Sequence, residues 1–222
     1  MTHVKQIPDA IREKAEAHRQ YRKEIPQLEG KDIRICMDEW NYWYGPHIYG
    51  ELGTRYFMRD AMGIAAGLNE YSRQSDMVFM ANYAQTVNVI GCIKTNTTSS
   101  VLDATGQVLK LYRQQFGTIP VTITGETRPL DIAATLDSEG KKLTVSVVNA
   151  TWDEVKLPVK VLNGTISGDV ELWQVTAPDD MATNEPGRPE NVKIEGPVKV
   201  ASGNTLAIPP ASINLFVFSL NN

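Results

Sequence analysis

Ile33-Arg34-Ile35-Cys36-Met37-Asp38-Glu39-Trp40-Asn41-Tyr42-Trp43-Tyr44-Gly45-Pro46 reads as a short buried strand running into two carboxylates, a carboxamide and four aromatic rings, closed by a Gly-Pro breaker. Strand parity puts Ile33, Ile35, Met37 and Glu39 on one face and Arg34, Cys36 and Asp38 on the other, so only one of the neighbouring acids enters a given pocket. A carboxylate at the C-terminal end of a parallel strand, followed by a loop of Trp and Tyr, is how a (β/α) barrel places its chemistry. Aromatic faces are also what a sugar ring stacks on, so the stretch predicts a glycosidase-like site.

The flanking sequence has the same grammar. Pro8 to about Glu24 is rich in Ala, Glu, Lys, Arg and Gln with apolar residues near helical spacing, and Ile25-Pro26 and Gly30 end it. Beyond Pro46, Phe57, Met58, Ala61, Met62, Ile64, Ala65, Leu68 and Tyr71 recur every three or four residues, which predicts an amphipathic helix over 54–73. Asp76 is expected to cap a short helical turn holding Met77, Met80, Ala81 and Ala84, and the run 87–93 to be the next buried parallel strand. One more helix is expected within 101–116.

Near Ile119 the period changes from helical to alternating. Candidate strands are 121–124, 130–136, 142–148, 155–162, 170–175, 192–194, 198–200, 206–208 and 213–220, with turn signals such as Asp137-Ser138-Glu139-Gly140 and Asn163-Gly164 between them. The expected fold is therefore α/β plus all-β: residues 1–118 as part of a (β/α) barrel, and residues 119–222 as a β-sandwich. A whole barrel takes ~250 residues, and the α/β part here has room for two of its strands. Two barrel strands alone leave open edges and an uncovered face. The chain is expected to be a truncated or split enzyme, partnered by the missing part of its barrel or by a second copy; a self-sufficient α/β unit fused to a sandwich is the alternative.

Composition narrows the function. The 222 residues are 42% hydrophobic, enough for a core, and carry a net charge of −4 with three histidines and no long basic run, which argues against a nucleic-acid surface. No apolar run approaches the ~20 residues of a membrane helix, and no signal-like apolar core opens the chain; the compartment stays open. Cys36 and Cys92, both in apolar runs, are expected as buried free thiols, and two cysteines exclude a cysteine-rich metal site. Neither metal nor organic cofactor is implied. Asn96-Thr97-Thr98, Asn149-Ala150-Thr151 and Asn163-Gly164-Thr165 fit the glycosylation triplet, a pattern that arises often by chance.

Met37-Asp38-Glu39-Trp40-Asn41-Tyr42-Trp43-Tyr44, with Ser75 to Ile90 and its Ala84-Gln85-Thr86-Val87-Asn88 segment, resembles the C-terminal half of the α-L-arabinofuranosidases of glycoside hydrolase family 51. The resemblance is tight over 33–90 and loose beyond. It implies that residues 1–118 are the last part of a (β/α)8 TIM barrel, strands seven and eight with their helices, and residues 119–222 a jelly-roll-like β-sandwich, with the N-terminal barrel half as the missing partner. It also implies Glu39 as the catalytic nucleophile at the end of barrel strand seven, Gln85 as a contact to the arabinose, and Trp43 as a wall of the site. The implied ligand is an arabinofuranosyl-containing glycan.

Each candidate has a plainer role beside it. Glu39 could be a solvated acid at a strand end, and Trp40 and Trp43 could be core. Asp38 is expected as a local hydrogen-bond partner or in an ion pair with Arg34. Gln85 and Asn88 are carboxamides in apolar surroundings and must bond something, a sugar hydroxyl or backbone. Asn41 is assigned to substrate binding, with a structural role as its alternative, and His47 and Tyr49 to the rim of the site or to plain surface. A retaining glycosidase needs a second carboxyl ~5–5.5 Å from the first. The resemblance places it in an Asn-Glu dipeptide after another strand. Asn69-Glu70 and Asn184-Glu185 lack such a strand, so the acid/base is expected to be missing. The rival functions are a noncatalytic carbohydrate-binding or assembly protein and a glycosidase for another sugar.

Overall fold

The computed structural model describes residues 1–44, 53–162, 164–201 and 205–221. His47, Tyr49 and the Gly45-Pro46 turn lie outside them. Helix α1 (Thr2–Glu24) starts six residues before Pro8 and carries that proline in its second turn; Val4, Ile7, Ile11 and Ala15 form its buried stripe. Strand β1 (Ile35–Trp40) follows, then α2 (Met58–Arg73) and β2 (Val78–Tyr83). β1 and β2 pair in parallel as a two-stranded sheet. Helix α2 lies against α1 and is buried on most of its circumference, because it is sandwiched between α1 and the sheet that follows.

Two expectations fail here. Residues 76–84 do not form a helical turn. Asp76 gives its carboxylate to Arg19 of α1 (2.6 Å) instead of capping, and Val78–Tyr83 is the second parallel strand. The run 87–93 is correspondingly not that strand: it forms a compact loop, with one isolated bridge from Val87 to Ile93. Asn88 diverts it, since its carboxamide bonds both Thr95 N and Thr95 Oγ1 (2.9 Å each). Only the short hairpin β3 (Ile93–Thr95) and β4 (Ser100–Leu102) remains extended before α3 (Ala104–Gln115).

The strand-rich part begins with β5 (Ile119–Val121), β6 (Asp131–Leu136) and β7 (Lys142–Asn149), followed by β8 (Val155–Pro158) and β9 (Thr165–Thr176). It ends with β10 (Lys193–Val200), β11 (Thr205–Ile208) and β12 (Ser212–Asn221). One six-stranded sheet has the order β10-β9-β12-β7-β6-β5, and β8 and β11 form a separate ribbon. The two short segments expected at 192–194 and 198–200 are one strand with a bulge.

The large sheet is a middle layer. β12 is buried on both faces, so it reads as a continuous apolar run: Phe216 and Phe218 meet Leu206 and Ile208 of the ribbon, while Ile213 and Leu215 join the core of α1, α2 and α3. Tyr112 of α3 reaches Ser146 of β7 through its hydroxyl, and Thr144 Oγ1 donates to Gln115 O (2.7 Å). Helices and sheet thus share one core across residue 118. Among the described residues no helix is long and apolar enough to cross a membrane.

Candidate functional site

The C-terminal ends of β1 and β2 carry the chemistry-bearing residues. Pairing runs Met37↔Ala81 and then Trp40↔Tyr83, so β1 uses one residue more than β2 over this step and bulges at Asp38-Glu39. The bulge corrects the expected parity. Ile35 and Met37 are half-buried with Cys36 and Asp38 exposed, as alternation requires, but Glu39 is exposed and Trp40 takes the inner face. The driving force is the Trp40 indole, which sits edge-on to Tyr71 (5.0 Å) and Tyr83 (5.6 Å) within the α1/α2 core. Burying so large a ring outweighs ladder regularity. Asp38 and Glu39 consequently both face solvent.

Asp38 does not pair with Arg34. Arg34 bonds Asp32 (3.1 Å) and lies over the Phe79 ring, while Asp38 Oδ1 accepts from the Cys36 thiol (3.4 Å). That bond pushes the thiol pKa up, because it stabilises the protonated form. Cys36 is exposed, not buried as expected, and Cys92 is half-buried.

Beyond Trp40 the loop is pinned residue by residue. Asn41 Nδ2 donates to Tyr56 Oη and to Ile90 O (2.7 Å each), and its Oδ1 accepts from Tyr42 N. The amide expected at the sugar is thus spent on protein partners. Tyr42 is buried, stacks on His3 (4.3 Å) and donates to His3 O (3.0 Å). It fits because residue 63 is glycine: a Cβ there would fall 1.7 Å from Tyr42 Oη. Tyr44 donates to Asp60, which also holds His3 (2.6 Å) and accepts from Phe57 N (2.7 Å) at the start of α2. Between these anchored tyrosines Trp43 is 65% exposed.

Gln85 lies two residues beyond β2, at the same end of the parallel pair as Glu39. Its loop holds Gln85, Asn88 and Val89 at φ 58°, 53° and 45°. Non-glycine residues there cost about 1–3 kcal/mol each, and persist only where the surroundings enforce them. Gln85 Oε1 accepts from Ile90 N (3.4 Å).

Sequence reasoning missed a buried polar cluster behind this loop. Asp103 caps α3, accepting from Thr105 N and Gly106 N, and Lys94 Nζ stands 3.9 Å from its other oxygen. Burial pushes Asp103 up to about 7, against the pull of Lys94 and the cap bonds, and lowers the Lys94 ammonium. The Asp-Ala-Thr-Gly cap signature at residue 103 was the available signal.

Neither Asn-Glu dipeptide offers a second acid near Glu39. Burial pushes Glu70 up, but bonds from Gln74 and Arg12 and the charge of Arg73 outweigh it and leave its pKa lowered, that of a structural carboxylate. Glu185 pairs with Arg55 (2.7 Å) and Arg188 (3.2 Å). Neither the 300 Å³ hollow beside Trp40 and Tyr71 nor the 1050 Å³ groove between α1, α2 and residues 123–132 includes Glu39, Gln85 or Trp43.

Residues 38–212 match the model of the α-L-arabinofuranosidase C-terminal domain. The chain is 33% identical over 181 residues to a probable α-L-arabinofuranosidase C of Aspergillus flavus, covering 72% of this chain and 35% of that protein. Among solved structures it resembles an α-L-arabinofuranosidase of Thermotoga maritima in complex with arabinose (TM-score 0.84, 23% identity, 98% of this chain, 50% of that one). It also resembles the GH51 arabinofuranosidase of Xanthomonas axonopodis pv. citri (TM-score 0.70, 25% identity, 89% and 43%). The chain spans about a third of the length of the curated relatives it matches.

Proposed function

Since the chain belongs to the α-L-arabinofuranosidase C-terminal domain family and is a C-terminal portion of the glycoside hydrolase family 51 type, we propose that it works as part of a retaining hydrolase. That hydrolase releases terminal α-L-arabinofuranose from arabinose-containing polysaccharides or oligosaccharides. Residues 1–118 are taken as the last two β/α units of its barrel and residues 119–222 as its sandwich. The observation that carries this reading is Glu39, exposed at the C-terminal end of β1 with the Gln85 loop beside it.

In this mechanism a Glu39 carboxylate oxygen attacks the anomeric carbon while a second carboxylic acid protonates the departing glycosidic oxygen. Water, deprotonated by that second group, then displaces Glu39 from the glycosyl-enzyme, and the sugar leaves with its configuration retained. Glu70 and Glu185 are committed to arginines, and in this reading the second carboxyl comes from a part of the site outside this chain, as do the walls that would enclose the sugar. An N-terminal barrel half supplies both; a second copy of the chain is the less economical source.

A labelling experiment tests the nucleophile. The chain, assembled with the remaining β/α units of a family 51 barrel, is treated with a 2-fluoro arabinofuranosyl donor that stalls the glycosyl-enzyme, and the denatured chain is digested and weighed. The adduct is expected on the peptide containing Glu39 and is expected to vanish in Glu39→Gln; an adduct on another carboxylate would remove the assignment. The exposure of Trp43 favours one other reading, a noncatalytic glycan-binding protein, for which the assembly would bind arabinosides and form no adduct.

A further inference from the structure

The loop from Gln85 to Ile90 is gripped at two carbonyls. Val89 O accepts from Thr54 N (2.8 Å) and from Lys94 Nζ (3.1 Å). Ile90 O accepts from Asn41 Nδ2 (2.7 Å), with Tyr56 Oη 3.3 Å away. Gly53 closes the third side, since a Cβ there would lie 2.1 Å from Val89 O. The peptide unit between these carbonyls bears Ile90 N, the donor to Gln85 Oε1. Whatever fixes Val89 and Ile90 therefore fixes the Gln85 carboxamide.

Lys94 is the unusual member of this grip. It is 6% exposed, its ammonium lies over the Tyr56 ring (5.2 Å), and among the described residues its one close hydrogen bond goes to the strained Val89 peptide. Asp103, 1% exposed, spends one oxygen on the α3 cap and leaves Oδ2, the atom facing Lys94, without a hydrogen bond among the described residues. A buried pair at 3.9 Å is poor value as a stability device, because apolar residues of the same shape usually do as well. Its yield is geometric: a cation placed where a β-branched residue must hold positive φ.

We propose that Lys94, held by Asp103, is a positioning residue that locks the Gln85–Ile90 loop in the conformation that presents Gln85 to the sugar. This rests on the assignment of Gln85 to the arabinose. The directions of the two titrations agree with it, since both groups have been taken out of water, the ammonium to reach the Val89 carbonyl and the carboxylate to face that ammonium.

Hydrogen exchange on the 222-residue chain tests the lock without any sugar. Lys94→Met, which keeps the length and removes the charge, is expected to speed exchange in the peptide covering 84–92 at least tenfold while β7 and β12 keep their protection. Unchanged exchange in that peptide overturns the proposal, and so does equal loss across β7 and β12. Asp103→Asn keeps the cap acceptor, so it gives the same comparison if Lys94→Met does not fold, with a smaller rise expected in 84–92 and no rise overturning the lock. In the assembled enzyme, Lys94→Met is expected to raise KM for an arabinofuranoside at least fivefold with a smaller change in kcat, and Gln85→Ala on top of it to add nothing; fully additive effects would also overturn it. If the wild-type assembly neither binds nor cleaves arabinofuranosides, the sugar assignment of Gln85 fails while the exchange result still decides the lock.

Discussion

Asp103 is the residue where charge and burial are most at odds. Its folded pKa is raised from 3.8 to about 7 by burial, so the native state keeps a proton that the unfolded chain has lost between those values. Stability from this group is greatest below pH 4 and falls as pH rises toward 7. Lys94, Cys92, Tyr56 and Tyr83 face the same carboxyl, and none of them has an ordinary pKa inside that window. Asp103→Asn cannot ionise, so urea denaturation at pH 4.5 and 7.5 should show the wild type losing stability relative to the variant as pH rises. A difference independent of pH would contradict the buried-acid description. Glu39 and Gln85 could be singled out as candidates at this scale because short motifs carry them, and both stand at the same end of the parallel pair. A structural role for Asn41 was among the readings open in the sequence, but its partners were not, since Tyr56 and Ile90 are 15 and 49 residues away.

Among the elements, helices were the easiest to read. The 3.6-residue stripe of α2 predicts it to within four residues, and the change of period near Ile119 coincides with the start of β5. The second parallel strand was displaced, because 87–93 has the better strand composition while 78–83 has the partner. Pairing with β1 decided, and the carboxamide of Asn88 turned the apolar run into a loop. Strict alternation in β1 failed at the bulge for a similar reason, a tertiary contact of Trp40. The fit of α2 under the aromatic loop gives a sharper check. Alanine at residue 63 would gain about 1 kcal/mol of helix propensity, yet its Cβ would collide with Tyr42. Gly63→Ala is expected to destabilise by about 1–3 kcal/mol net in chemical denaturation, and Tyr42→Phe in the Gly63→Ala background to recover part of it. A stabilised Gly63→Ala would mean that Tyr42 is not seated on α2.

For the molecule as a whole, the decisive feature is what borders the parallel pair. β1 and β2 each pair only with the other among the described residues, and Phe79, Met80 and Trp43 are exposed around them. The large sheet, by contrast, is covered on both faces, by helices and by the ribbon. This middle-layer role was not visible in the sequence, because alternation marks a buried face without naming what covers it. The central claim is that Glu39 is half of a two-carboxylate site whose other half lies outside these 222 residues. Its most direct test is the turnover of an aryl α-L-arabinofuranoside by the chain alone and by the chain assembled with the remaining barrel units. Negligible turnover alone is expected, with retaining hydrolysis on assembly that Glu39→Gln abolishes while sugar binding stays measurable; robust hydrolysis by the chain alone, unchanged by Glu39→Gln, would contradict it.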